Sequence, residues 1–189
     1  MRFGIVGTSF IADWLLEASR HVEGFEAAAV CSRRWETGEA FAGKHGIPGV
    51  YTDMVQMAES GEIDAAYIAS PNGFHAQQCL LFIRRGIPVL CEKAFASNQR
   101  EAQQVIDEAH ERGVFVMEAI KSLFMPSFEA LKAALPEIGK VRRAVFNFTR
   151  YSSRYDAYLR GEAPNAFKRE LSNGSLLDIG VYALHPAVA

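Results

Sequence analysis

Along the first two thirds of the chain, short apolar runs alternate with stretches in which apolar residues recur every three or four positions. Phe3-Gly4-Ile5-Val6 is the first run, and after Gly7-Thr8-Ser9 the spacing changes to Ile11, Trp14, Leu15 and Ala18, which predicts strand, tight turn and helix. Phe25 to Val30 predicts a second strand that ends in Cys31-Ser32-Arg33-Arg34, followed by a helix from Glu36 to His45 closed by Gly46. Ala65 to Ala69 is a third strand. It runs into Ser70-Pro71-Asn72-Gly73 and a helix with Ala76, Cys79, Leu80 and Ile83 on one side, with Asn72 placed to cap it. Pro88 to Cys91 leads into Glu92-Lys93-Ala94. Asn98 with Glu101 then predicts a capping box opening a helix through Ala102, Val105, Ile106 and Ala109, closed by Gly113. Val114 to Met117 is the last strand of the series, ending at Glu118.

Such alternation predicts an α/β fold, a parallel sheet covered by helices on both faces. In a parallel sheet all carboxyl ends lie along one edge, so Gly7, Ser32, Arg33, Pro71, Asn72, Glu92, Lys93 and Glu118 are expected together there, where ligands bind. From Pro126 the pattern changes to a helix through Leu131 and Leu135 and a turn at Ile138-Gly139. A long strand is expected from Lys140 to about Tyr151, with Ala144, Phe146 and Phe148 on one side and Val141, Val145 and Tyr151 on the other. A short helix or turn over Pro164 to Leu171 and a helix over Ser175 to Leu184, packed through Leu176, Leu177, Ile179, Val181 and Leu184, complete the second region. The long strand has no partner in the sequence, so either more of the same chain or another chain is expected to cover its edge. The division is residues 1–120 and 121–189.

Composition narrows the partners. With 189 residues, 49% of them hydrophobic, the chain can bury a substantial core. A formal net charge of -2 and the lack of basic runs argue against nucleic acid or an anionic membrane, leaving a small molecule as the expected ligand. Cys31, Cys79 and Cys91 have no metal or disulfide spacing, which fits a reducing cytoplasm. No apolar run is long enough for a membrane span or a leader core. The five histidines are scattered, and no metal is expected.

The first turn suits a pyrophosphate, because a glycine at the strand end lets the amides of the next helix point at the ligand. Gly7-Thr8-Ser9-Phe10-Ile11-Ala12 follows the dinucleotide pattern with Ser9 at its middle glycine. Alone, it fits a nucleotide-free turn equally well. At the second strand end, where an NAD enzyme places an acidic residue for the ribose, Ser32, Arg33 and Arg34 offer a hydroxyl and two guanidiniums. That chemistry favours a 2′-phosphate, hence NADP over NAD, unless both arginines are simply solvated.

Taken in order, these residues resemble the glucose-fructose oxidoreductase, inositol dehydrogenase and MocA group of nicotinamide-dependent oxidoreductases. Gly7-Thr8-Ser9-Phe10-Ile11-Ala12 is similar to its pyrophosphate turn, Ser70-Pro71-Asn72 with His75 to its loop after the fourth strand, and Cys91-Glu92-Lys93-Ala94 to its Glu-Lys-Pro signature. Gly174-Ser175-Leu176-Leu177-Asp178-Ile179-Gly180-Val181-Tyr182 is similar to the stretch with its catalytic Asp and acid. Tyr182, where many members have His, is closer to the dihydrodiol dehydrogenase branch. The resemblance implies a Rossmann-type doubly wound sheet that binds NADP, with NAD as the second option, followed by the start of an α+β substrate domain with an open sheet that forms homodimers. Members are generally longer than this chain.

It also implies catalysis by Lys93, Asp178 and Tyr182, with Thr8, Ser9, Phe10, Ile11, Glu92 and Glu118 joining the other strand-end residues around the cofactor. The chemistry is consistent. Asp178 and Tyr182 are one helical turn apart, and a phenol that titrates near ~10 exchanges a proton poorly at neutral pH unless a cation such as Lys93 favours the phenolate. Hydride transfer between the nicotinamide and a carbon bearing a hydroxyl, in a sugar, polyol or vicinal diol, is the implied reaction; a nucleotide sensor without turnover is the alternative. Glu92 is expected to position Lys93. Ala94 replaces the signature proline, and a cis bond without proline costs about 2.5–4 kcal/mol, so a trans Lys93–Ala94 bond is expected. Asn173 stands where a glycine is common.

Overall fold

The computed structural model describes residues 1–149 and 151–189 and divides into two compact units, Met1–Glu118 and Ala119–Ala189. In the first unit, β1 (Arg2–Val6), α1 (Phe10–Ser19), β2 (Glu26–Cys31), α2 (Trp35–His45), β3 (Gly49–Tyr51), α3 (Met54–Glu59), β4 (Ala65–Ile68), α4 (His75–Ile83), β5 (Val89–Cys91), α5 (Gln99–Arg112) and β6 (Val116–Glu118) follow in order. All neighbouring strands pair in parallel, in the order β3-β2-β1-β4-β5-β6. The order reverses at β1, which makes the gap between β1 and β4 a topological switch point.

Alternating strand residues enter different cores. Val6, Cys31, Ile68 and Cys91 pack with Met57, Cys79, Phe82 and Val105 from α3, α4 and α5. Ile5, Val30 and Tyr67 pack with Ala12, Leu16, Phe41 and Ala42 from α1 and α2. Burial on both faces explains why these strands read as unbroken apolar runs. Local chemistry sets the ends of the helices. Asn98 accepts the Glu101 N–H at 3.1 Å, and Glu101 reaches back to the Ser97 N–H at 3.1 Å, one residue earlier than a standard capping box. Both α2 and α5 stop at a glycine in the left-handed region, Gly46 and Gly113.

Several expectations need correction. β3 and α3 have no counterpart in the sequence pattern, because three strand residues are too few to show a period; α3 is held by Asp53, whose carboxylate accepts the Val55 N–H at 2.7 Å. Asn72 does not cap α4. It opens a 3₁₀ turn, Asn72–Phe74, and its carbonyl accepts the His75 N–H. Ile106 is 49% exposed, so Val105 and Ala109 alone carry the deepest burial of α5.

The second unit contains a 3₁₀ turn (Lys121–Phe124), α6 (Pro126–Ala134), a 3₁₀ turn (Leu135–Ile138), α7 (Tyr155–Leu159) and 3₁₀ turns at Asn165–Phe167 and Arg169–Leu171. The expected strand over Lys140 to Tyr151 is not formed among the described residues, and Arg150 of that segment lies outside them. A strand exists through its ladder hydrogen bonds, and no described segment of this unit pairs with it. The expected helix over Ser175 to Leu184 begins as a π-helical turn, Leu176–Gly180, and continues as α8 (Val181–Val188). Leu176 and Leu184, expected to pack, are 66% and 56% exposed.

Candidate active site

The strand register aligns the carboxyl ends almost level. Val6 pairs with Cys31 and Ile68, Cys31 with Tyr51, Ile68 with Cys91, and Cys91 with Glu118. One further ladder bond holds the next residue of each chain segment: the amides of Gly7, Ser32, Ala69 and Glu92 donate to the carbonyls of Cys31, Tyr51, Val6 and Ile68 at 2.9–3.0 Å. The residues read from sequence as Gly7, Ser32, Ser70 and Glu92-Lys93 therefore start from one edge.

At the centre, Gly7 has φ +99°, and a Cβ there would lie 2.8 Å from the Ala69 carbonyl oxygen. Glycine is required both for that dihedral and for the approach of β1 to β4. Thr8 and Ser9 complete the turn. The amides of Ala12 and Asp13 are the first to bond back, both to the Ser9 carbonyl, so those of Phe10 and Ile11 precede the helical ladder. This is the geometry by which a helix N-terminus receives an anion, beside the switch point.

At the β2 end, Ser32 is nearly buried while Arg33 and Arg34 are exposed. The Ser32 hydroxyl meets that of Thr37 at 2.6 Å, and Thr37 donates to the Arg34 carbonyl at 2.9 Å. Beyond β4, the Ser70 hydroxyl donates to Gln78 at 2.6 Å, with Pro71 and Asn72 half-buried in the following turn.

His75, expected at the cofactor, has no exposed surface. Its Nδ1 lies 2.8 Å from the Ala94 carbonyl oxygen and its Nε2 2.8 Å from that of Ser70, so it joins the loop after β4 to the loop after β5. Burial keeps the imidazole below its ordinary pKa, against the two carbonyls, which pull it upward. A part in binding can only be indirect, through those carbonyls.

The loop after β5 is tied on every side. Glu92 accepts from the Tyr67 hydroxyl at 2.7 Å and from the Lys93 backbone N–H at 3.3 Å, so it positions the backbone of Lys93. Burial, followed by the Glu92 carboxylate, pushes the Tyr67 phenol far up, which keeps it a donor. The Lys93–Ala94 peptide is cis, contrary to the trans bond expected for alanine. The groups that flank it are held from other elements: the Ala94 carbonyl by His75, and the Phe95 N–H by the Glu118 carboxylate at 2.9 Å. Glu118 thus serves the loop that carries Lys93, which is half-buried.

In the second unit, Asp178 sits in the π turn, with its amide donating to the Gly174 carbonyl at 2.9 Å, and Tyr182 follows in the first turn of α8. The Tyr182 ring lies 5.7 Å from that of Phe148, centroid to centroid. Ser172, beside Asn173, has φ +53°, and Gly174 has φ +120°.

Tyr67, Thr37 and Gln78 carry no motif that marks them in the sequence. Tyr67 has the place of one more apolar strand residue, and only its hydroxyl, which must find a partner when buried, is a signal of more.

The family described as "Oxidoreductase family, NAD-binding Rossmann fold" matches residues 1–120. The chain is 49% identical over 188 residues to scyllo-inositol 2-dehydrogenase (NADP(+)) of Bacillus subtilis, covering 100% of this chain and 57% of that protein. It is 32% identical over 192 residues to trans-1,2-dihydrobenzene-1,2-diol dehydrogenase of Sus scrofa, covering 97% of this chain and 54% of the relative. Among solved structures it is similar to the 3-ketoreductase KijD10 of Actinomadura kijaniata in complex with NADP and TDP-benzene, with TM-score 0.82 and 29% identity over 99% of this chain and 56% of the other. The chain thus spans somewhat more than half the length of these relatives.

Proposed function

We propose, from the premise that the chain belongs to the Gfo/Idh/MocA oxidoreductase family with its NAD-binding Rossmann fold, that it serves an NADP-dependent oxidoreductase acting on a CH–OH carbon of a sugar, polyol or vicinal diol. The observation that carries this reading is the level row of strand ends, which puts an anion-binding turn, two exposed arginines and Glu92-Lys93 on one edge. Residues 1–120 form the nucleotide-binding domain and 121–189 part of the substrate and dimerisation domain. The likeness to an NADP(+)-linked scyllo-inositol dehydrogenase and to dihydrodiol dehydrogenases supports the substrate class.

In this reading Gly7, Thr8, Ser9, Phe10 and Ile11 hold the pyrophosphate, Ser32, Arg33 and Arg34 the 2′-phosphate, and Ser70, Pro71 and Asn72 the part of the cofactor crossing β4. The bound nicotinamide supplies hydride chemistry. Tyr182 takes the proton from the substrate hydroxyl on oxidation, or returns it on reduction, while Lys93 stabilises negative charge on that oxygen. Asp178 orients the substrate or Lys93. Glu92 and Glu118 act on the loop that presents Lys93, and His75 acts through Ser70 and Ala94. Three buried cysteines without disulfides fit a cytoplasmic setting, and homodimerisation through the second domain fits the family.

The test is a fluorescence titration with NADPH and NADH, followed by turnover with inositols and dihydrodiols. NADPH is expected to bind more tightly. Tyr182→Phe is expected to lower turnover by roughly 10²–10⁴ with nucleotide affinity preserved. Binding with no turnover on any CH–OH substrate would instead favour a nucleotide sensor.

A further inference from the structure

Thr37 lies in the first turn of α2 and has no part in the scheme above, yet it controls the one hydroxyl buried at the β2 end. A hydroxyl carries a single proton. Thr37 gives its proton to the Arg34 carbonyl at 2.9 Å, so the 2.6 Å contact between Thr37 and Ser32 must be bridged by the proton of Ser32. Ser32, with 9% of its surface exposed, then offers only lone pairs outward. Glycine at position 38 lets this turn of α2 approach β2 and β3 closely, since a Cβ there would lie 3.4 Å from the Ser32 Cβ and 3.1 Å from Val50, and the Ser32 amide is held by the Tyr51 carbonyl at 3.0 Å.

We infer that Thr37 is a specificity-determining positioning residue, which sets the direction of the Ser32 proton and so tempers the preference for a 2′-phosphate over a 2′-hydroxyl. The inference rests on the reading of the β2 end as the 2′ side of a dinucleotide site. A ribose hydroxyl can donate to Ser32 as it stands. A phosphate dianion has only lone pairs, so Ser32 must turn its proton outward, and Thr37 must give up the Arg34 carbonyl to donate to Ser32 instead. The Arg34 carbonyl still accepts the Gly38 N–H at 3.2 Å. The phosphate therefore binds at the expense of one neutral hydrogen bond, a factor of about 2 to 12 in affinity.

Thr37→Val keeps the shape of the side chain and removes its proton and lone pairs. Calorimetric titration with 2′,5′-ADP and with 5′-AMP isolates the adenosine end. The ratio of the two affinities is expected to move toward 2′,5′-ADP by about 2- to 12-fold in Thr37→Val, to return to the wild-type value in Thr37→Ser, and to be the same in Ser32→Ala and in the Ser32→Ala/Thr37→Val double variant. An unchanged ratio, or one that moves toward 5′-AMP, overturns the inference while leaving the cofactor reading intact. If the wild-type chain binds neither nucleotide, the cofactor reading falls and takes this inference with it. Equal melting temperatures for wild type and Thr37→Val exclude a folding defect as the source of a shift.

Discussion

Replacing Gly7 with alanine would put a methyl group 2.8 Å from the Ala69 carbonyl oxygen and 3.1 Å from its carbon, at a residue whose φ is +99°. The dihedral strain is worth about 1–3 kcal/mol, and a clash with backbone, which cannot rotate away as a side chain can, adds about 1–3 kcal/mol of overpacking. Gly24 separates the two effects: its φ is +80°, and a Cβ there would meet nothing within 4 Å. Gly24→Ala should lose only the dihedral part. For a chain of this size 1 kcal/mol lowers the melting temperature by roughly 2–4 °C, so Gly7→Ala is expected to melt about 5–20 °C below wild type, and clearly below Gly24→Ala. Because the strain is relieved by pushing β1 from β4 at the switch point, NADPH affinity should fall about tenfold or more in Gly7→Ala and stay at the wild-type value in Gly24→Ala. Calorimetry for stability and fluorescence titration for binding read the two effects separately. A Gly7→Ala protein that melts with Gly24→Ala and binds NADPH as the wild type does would refute the claim that the β1–β4 approach is rigid and shapes the site.

Arg33→Ala/Arg34→Ala should weaken NADPH binding by about tenfold or more and NADH binding little, since charged hydrogen bonds to a phosphate are the contacts removed; a parallel loss for both nucleotides would assign the arginines no role at the 2′ position. His75→Phe should destabilise the chain by about 1–3 kcal/mol in urea unfolding, because the single N–H of the neutral imidazole donates to one of the Ser70 and Ala94 carbonyls, which then loses its buried donor. Burial lowers the folded-state pKa of His75, so the unfolded chain binds the proton more readily; stability should fall as the pH drops below the ordinary histidine value of ~6.5, and His75→Phe should flatten that decline. The Arg2 side chain, by hydrogen bonding, holds Asp64 at about 2, so its contribution is present above the ordinary carboxylate pKa of ~4 and is lost as the pH falls through about 2. Urea midpoints of Asp64→Asn against pH should lack that acid-side change.

The elements that could be read from sequence are those whose cause is local. The switch from Phe3-Gly4-Ile5-Val6 to helical spacing at Ile11, the Asn98–Glu101 cap and the glycines closing α2 and α5 each depend on residues within one or two turns of each other. The candidate edge was also legible, because parallel strands leave no choice about where their carboxyl ends lie. Segments whose structure has no local cause are not legible in the same way. Val141 to Thr149 alternates like a strand, but alternation provides only a face and not the neighbour whose carbonyls and amides make the ladder.

By itself, then, the sequence determined the alternation of strands and helices, the glycine at the first turn and the identity of the residues at the strand ends. Only the tertiary structure decided how their polar groups pair: Tyr67 with Glu92 across 25 residues, His75 between Ser70 and Ala94, Phe95 with Glu118, and a cis Lys93–Ala94 bond where alanine argues for trans. The physical reason is range. Backbone preference and hydrophobic period act over a few residues, whereas a buried donor must take whatever acceptor the sheet order brings within about 3 Å.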